Sequence, residues 1–345
     1  MTELKIGITG INAMDNPGPG VGIARSLKKD RELNVNIIGL AYNSMEPGIY
    51  MNGLIDKAYI MPDPSAGHEH FLKRLYHIKN TYGLDFVIPN LDSELPLYIK
   101  HEHELAQNGI RTFLPSAEQF RLRSKDRLVD IAEQMGIKCP ESVIVTTIDD
   151  LLFALAKLDF PVMIKGSLSK ANKAYTTQEA LSHYHNISTE YGFPIIVQKA
   201  IIGKEMNVVG VGDGEGNSLG MVCIKKLWIT SLGKMWNGVT TKNEHILAVA
   251  SRFLMMTQWK GGFELECLVN GGEVYLIEIN PRLPDWSYFA TGAGINLPAN
   301  LLRKALSMPI SNNPDYEEGK LFIRYTYELV TNMAPYRAIT MNGER

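Results

Sequence analysis

The chain has 345 residues, 45 % of them hydrophobic and 21 % charged, with 35 Lys and Arg set against 37 Asp and Glu for a net charge of −2. Such a composition suits a globular protein of two or three domains, and the balanced charge gives no global attraction to nucleic acid or to an anionic membrane. Cys139, Cys223 and Cys267 are widely spaced and form no CxxC pair, which argues against a disulfide framework or a zinc site.

Met1 to Ile11 runs directly into a strand pattern without signal-peptide features, and no apolar run is long enough to span a bilayer, so a cytoplasmic location is expected. Leu4 to Thr9 reads as a buried strand, Val21 to Lys29 as a helix and Val35 to Leu40 as a second strand. Phe71, Leu72, Leu75 and Ile78 share a helical face. Asp85 to Pro89 and Ile110 to Leu114 read as strands on either side of a helix from Leu95 to Gln107. Alternation of this kind predicts a doubly wound parallel sheet.

Pro115-Ser116 interrupts that pattern, and Leu128, Ile131, Ala132 and Met135 mark one more helix, ended by Gly136. A smaller α+β stretch follows. Its strands are predicted at Ser142 to Val145 and Val162 to Lys165, with helices over Asp149 to Lys157 and Gln178 to Tyr191. From Ile195 onward strands dominate: Ile195 to Lys199, Met206 to Val211, Leu219 to Ile224, Phe263 to Val269 and Glu273 to Ile279. A helix from Glu244 to Trp259 interrupts them, and a helix from Pro298 to Leu306 and a strand around Leu321 to Glu328 come last. No internal repeat or low-complexity tract appears.

The richest segment is Gly262 to Arg282. The Asn270-Gly271-Gly272 turn between two strand patterns signals a hairpin. Strand alternation puts Glu264 and Glu266 on one face, and Glu278 and Asn280 on one face, so pairing across the hairpin brings Glu266 towards Glu278. Two carboxylates inside apolar strands repel each other and are costly to desolvate, a conflict that a hard divalent cation removes. Asn280 adds a neutral oxygen, and Arg282 a fixed positive charge suited to phosphate. For Glu264 and Glu273 a solvated hairpin face is the expectation.

This segment resembles the metal-binding end of the ATP-grasp superfamily, closest to the branch containing the large chain of carbamoyl phosphate synthetase and related carboxylate–amine ligases. The resemblance implies ATP with Mg2+ or Mn2+, the metal held by Glu266, Glu278 and Asn280, and Arg282 on phosphate or the reacting acyl group. It extends over nearly the whole chain. Phe160 to Lys165 looks like the family's strand ending in an ATP-contacting lysine, although Lys165 also reads as an ordinary strand-end lysine. Lys125, in Ser124-Lys125-Asp126 at a helix start, is a second lysine the family brings to ATP, or a solvated first-turn residue. Ile195 to Glu205 is similar to the strand that holds adenine, with main chain from Lys199 through Ala200 to Ile201 at the base and Glu205 at the ribose. Lys225 or Lys226 would face the phosphates, Lys225 being assigned a catalytic role. The family's glycine-rich loop corresponds to Gly166 to Tyr175, here with one glycine, and Ser167, Ser169 and Lys170 are its expected phosphate contacts.

The glycines around the first strand are not spaced as a dinucleotide fingerprint; the resemblance makes them the N-terminal domain's substrate-facing turn. In Asn90 to Glu94, Asp92 or Glu94 would orient a substrate amine, or Asp92 or Ser93 would cap a helix. His101 and His103 diverge on a helix and make a poor metal pair.

The expected organisation is an N-terminal doubly wound parallel-sheet domain over 1–115, linker helices and a small ATP-grasp lobe over 116–200, and a large lobe with the metal site over 201–345. The expected partners are a small-molecule carboxylate and an amine, with no nucleic acid and no membrane, and a homodimer is in keeping with the family. The expected reaction is acyl-phosphate activation of the acid followed by C–N bond formation; the alternatives are use of bicarbonate or carbamate as in carbamoyl phosphate synthesis, and a nucleotide-binding regulatory protein with weak or no turnover.

Overall fold

A computed structural model describes residues 3–12, 17–166, 171–230, 233–310, 315–326 and 328–345. Contacts divide the chain into two compact units. The first gathers Met1–Arg127, Met206–Glu266 and Glu278–Arg345; the second gathers Leu128–Glu205 and Cys267–Ile277.

The first unit opens with β1 (Leu4–Ile8), β2 (Val35–Ala41), β3 (Lys57–Ile60) and β4 (Phe86–Ile88) in a parallel sheet of order β3-β2-β1-β4. Helix Gly20–Lys29 returns the chain between the neighbours β1 and β2, and helix His68–Thr81 lies in the crossover from β3 at one edge of the sheet to β4 at the other. The strands are near-continuous apolar runs because helices cover both faces of such a sheet. The connections from β1 to β2 and on to β3 run to one side of β1 and the crossover to β4 runs to the other, so the carboxyl ends of β1 and β4 flank the place where the strand order reverses. The turn after β1 depends on small residues: a Cβ on Gly20 would lie 2.2 Å from the Thr9 carbonyl oxygen. The strand expected at Ile110 to Leu114 is reduced to a single bridge between Phe86 and Arg111, since Pro115 cuts it short.

The second unit holds β5 (Ser142–Val145), β6 (Val162–Lys165), β7 (Ala171–Ala174) and β8 (Ile195–Lys199) in an antiparallel sheet of order β5-β8-β6-β7. Helices Ile148–Leu158 and Thr177–Tyr191 cover it through a core that includes Leu151, Leu155, Tyr184 and Ile187. Thr147 and Asp150 form a reciprocal cap on the first of these helices, and Thr176 caps the second. β7 is a strand where a loop was expected, because its residues pair with β6.

A six-stranded sheet of order β13-β12-β9-β10-β11-β14 completes the architecture, with β9 (Lys204–Asp213), β10 (Ser218–Ile229), β11 (Met235–Thr240), β12 (Lys260–Asn270), β13 (Glu273–Asn280) and β14 (Leu321–Ile323). Gly271 and Gly272 at the β12–β13 turn have φ of 58° and 89°, the left-handed region that a tight hairpin needs. Val209, Val211, Val222 and Ile224 of this sheet share one hydrophobic core with Ile6, Ile8 and Ile37 of the parallel sheet, which makes the first unit a single packed body. No helix among the described residues is long and apolar enough to cross a membrane.

Candidate nucleotide and metal site

The register of the large sheet decides which side chains meet. Ile224 of β10 lies opposite Asn207 of β9, and Lys225 opposite Met206. Asn207 Nδ2 donates to Glu264 Oε1 at 2.7 Å, so Asn207, Glu264 and, by alternation, Glu266 share a face. Lys226 is two residues from Ile224 and falls on that same face. Its Nζ sits 3.2 Å from Glu266 Oε2, with the Lys226 side chain 6 % exposed. Lys225 takes the opposite face with Met206. Of the two lysines that the sequence left open, Lys226 is the one whose ammonium reaches the acidic pair, while Lys225, given a catalytic role on the family resemblance, lies on the other face.

Asn280 closes the cluster from β13. Its Nδ2 donates to Glu264 Oε2 at 3.0 Å and to Glu266 Oε1 at 3.1 Å. Glu278 is two residues away on the same strand and therefore on the same face; its carboxylate is exposed. Arg282 follows directly. Its Nη2 donates to Asn280 Oδ1 at 3.3 Å, its Nε donates to Asp92 Oδ1 at 3.3 Å, and its Nη1 lies 3.9 Å from Glu264 Oε2. Arg123 Nη1 holds the other Asp92 oxygen at 2.5 Å.

Glu264 is not solvated as the sequence suggested. It is buried, and its oxygens also accept from Trp286 Nε1 at 2.9 Å. Burial first, and then the charge of Glu266, push its pKa up to about 7 against the pull of its donors. Burial also opposes ionisation of Glu266, but the Lys226 ammonium outweighs it and holds that carboxyl below the ordinary value. Arg282 is drawn further towards its charged form: Asp92, Glu264, Asp285 and Glu278 together overcome burial. At Asp92 the guanidinium groups of Arg282 and Arg123 likewise overcome burial and lower the pKa. Glu264 thus ionises less readily than Glu266 beside it, with two cations fixed around the pair.

The oxygen donors suit a small hard cation. Glu266 is 27 % exposed, Glu278 is exposed, and one hydrogen bond from Arg282 leaves Asn280 Oδ1 with a second lone pair. Among the described residues no three His, Cys, Asp or Glu side chains cluster as a complete metal cage. Magnesium keeps waters and takes substrate phosphate oxygens, so it needs only one or two carboxylates from the protein. The residues present fit such an ion.

Lys165, Lys199, Ala200, Ile201 and Glu205 belong to the second unit. Lys165 ends β6 with its Nζ 2.6 Å from Gln198 Oε1, and Gln198 Nε2 donates to Ser142 Oγ at 2.8 Å. Lys199 ends β8. Its N–H donates to the Glu141 carbonyl and the Ala200 N–H to the Pro161 carbonyl, so both are engaged within the unit's own backbone. Ile202 is 70 % exposed beside Ile201. Glu205 is half-buried near the start of β9. Lys125 begins the helix Lys125–Gln134 with an exposed side chain. Ser167 lies outside the described residues, as do Ser169 and Lys170.

At the carboxyl ends of β1 and β4, Glu94 is wholly buried. It accepts from Thr9 Oγ1, Tyr42 OH, Asn90 N–H and Leu91 N–H. Burial raises its pKa despite those donors. Glu94 is thus engaged by the turn, and each Asp92 oxygen is held by an arginine. Sequence reasoning missed Glu264, Asn207 and Trp286 as parts of the site. A signal existed in the third acidic residue at alternating spacing in an apolar strand.

Comparison with known proteins finds relatives of this arrangement. Residues 124–284 match the family model described as ATP-grasp domain. It is 24 % identical over 192 residues to the carbamoyl phosphate synthase large chain of a Thermoanaerobacter strain, a match covering 52 % of this chain and 18 % of that protein. The chain therefore spans about a fifth of the length of the curated relatives it matches. Among solved structures, biotin carboxylase from Campylobacter jejuni in complex with a β,γ-ATP compound superposes with a TM-score of 0.70 at 14 % identity, covering 92 % of this chain and 74 % of that one. N5-carboxyaminoimidazole ribonucleotide synthetase from Thermus thermophilus does so with a TM-score of 0.66 at 16 % identity, covering 89 % and 79 %. These likenesses establish the fold: a parallel-sheet domain followed by the antiparallel sheets of an ATP-grasp.

Proposed function

We propose that the chain is an ATP- and magnesium-dependent ligase that activates a small-molecule carboxylate as an acyl phosphate for attack by an amine. The observation that carries this reading is the convergence of Glu266, Asn280, Arg282 and Lys226 on one face of the sheet, with Glu278 on the same face. Glu266, Glu278 and Asn280 would hold the metal, which when bound neutralises phosphate charge and polarises the transferring phosphoryl group. Lys226 keeps Glu266 ionised. Arg282, anchored by Asp92, presents a fixed guanidinium to the phosphoryl oxygens and then to the oxyanion that develops as the amine attacks. Lys125, Lys165 and the loop serine Ser167 are assigned to the phosphates, and the main chain of Lys199 to Ile201 with Glu205 to the nucleoside, on the family resemblance. No protein nucleophile takes part.

An ADP-release assay over a panel of acids and amines, with product identification by mass spectrometry, tests the reading. Acid- and amine-dependent ADP release with an amide product supports it; magnesium-independent release, or none with any pair, rejects it. A second reading takes bicarbonate or carbamate as the acid. The matches to carbamoyl phosphate synthase large chains favour it, and carbamoyl phosphate among the products would identify it.

A further inference from the structure

In the first unit, helix Leu95–Gln107 lies beside the start of helix His68–Thr81. The two histidines of HxH spacing on the later helix do not pair with each other. His101 pairs instead with His68: His68 Nδ1 and His101 Nε2 are 2.9 Å apart, with ring centroids 5.0 Å apart and planes inclined by 60°.

The neighbours define the protons. Lys100 Nζ can only donate, and it approaches His68 Nε2 at 3.4 Å, which leaves the His68 proton on Nδ1. Glu104 Oε2 lies 2.9 Å from His101 Nδ1 and, as a carboxylate, only accepts, which puts the His101 proton on Nδ1 and its lone pair on Nε2. Tyr76 OH donates to the other Glu104 oxygen at 2.9 Å and fixes that carboxylate. The two facing nitrogens therefore share one proton.

The same separation suits a metal ion. Two metal–imidazole bonds of about 2.0–2.1 Å held at a right angle set their nitrogens roughly 2.9 Å apart. A histidine whose second nitrogen donates to a carboxylate is the usual form of a metal-bound imidazole, because the carboxylate fixes the tautomer and raises ligand basicity. We propose that His68 Nδ1 and His101 Nε2 form a bidentate site for an imidazole-seeking divalent transition ion such as Cu2+, Ni2+ or Zn2+, with Glu104 as the positioning residue behind His101. On binding, the His68 proton moves from Nδ1 to Nε2 by exchange with solvent, and Lys100 leaves Nε2. No electron is transferred. The remaining coordination positions belong to water, since no third His, Cys, Asp or Glu joins the pair among the described residues. Magnesium, which prefers oxygen, is not a ligand of this site. The bound ion ties the two helices together.

The test is titration of the full chain with Cu2+ alone, followed by electron paramagnetic resonance and by competition with a chromophoric chelator. Expected is one equivalent with nitrogen hyperfine structure. Affinity falls at least tenfold in His68→Ala and in His101→Gln, falls about tenfold in Glu104→Gln, and is unchanged in His103→Ala. A rise in melting temperature on adding Ni2+ or Zn2+ should occur in the wild type and not in His68→Ala, which sits at the exposed helix start. Equal affinity in wild type, His68→Ala and His101→Gln would mean an adventitious ion only and overturns the proposal, as does no binding in the micromolar range. None of these readouts depends on ATP.

Discussion

Asn280 donates to Glu264 and Glu266 at once, at 3.0 and 3.1 Å, so one amide on β13 holds two carboxylates of β12 within reach of each other. Everything proposed for the site follows from that bridge and from the two cations that make the pair tolerable in a buried setting.

Trp286 supplies one of the three donors that surround Glu264. Trp286→Phe keeps most of the packing and removes the indole N–H, leaving a buried carboxyl short of a partner. The expected loss is about 1–3 kcal/mol in urea denaturation, with the denaturant slope unchanged. A variant as stable as the wild type would show that the indole bond contributes nothing.

Glu264 also gives the protein a pH signature. Its folded pKa is about 7 against an ordinary 4.5, so the native state holds a proton that the unfolded chain releases. Its contribution is fully present below pH 4.5 and is lost as pH rises to about 7, by a few kcal/mol at most. Glu264→Gln lacks this titration. The stability of wild type relative to Glu264→Gln should therefore decline between those pH values. Parallel curves would contradict the proton assignment.

Lys226 is 6 % exposed and faces Glu266, whereas Lys225 faces away. Lys226→Met leaves ionised Glu266 without its counter-ion and should cost about 3–5 kcal/mol. Adding Glu266→Met should recover much of that loss, because the double variant strands no charge. Lys225→Met should stay within about 1 kcal/mol of wild type in the same denaturation series. Equal losses for the two lysines would place both on the same footing and reject the register argument.

Much of this was readable from the residues. The apolar runs Leu4 to Thr9 and Val35 to Leu40, with helical spacing between them, carry the parallel sheet because both faces of such strands are covered. The Asn270-Gly271-Gly272 turn announces the hairpin, and period-two alternation puts Glu266 and Asn280 where they can meet. Other features depend on partners distant in the chain. Glu264 looks like any strand acid until Asn207 and Trp286 surround it. Choosing Lys226 over Lys225 requires the β9–β10 register, which no local pattern supplies. Ala171–Ala174 has no strand signature of its own and is a strand only through β6.

Glu278 is exposed, so Glu278→Ala should fold with wild-type stability. In calorimetric titration with ATP, the gain in affinity that magnesium gives the wild type should disappear in this variant. Retention of the full magnesium effect would exclude Glu278 from the metal site.

The most direct measurement of the central claim is a crystal structure with ADP and Mn2+, the ion located by its anomalous signal. The account predicts a manganese peak within about 2.3 Å of carboxylate oxygens of Glu266 and Glu278, with Arg282 against the nucleotide's phosphates. Bound ADP with no peak there, or manganese held elsewhere, would contradict it.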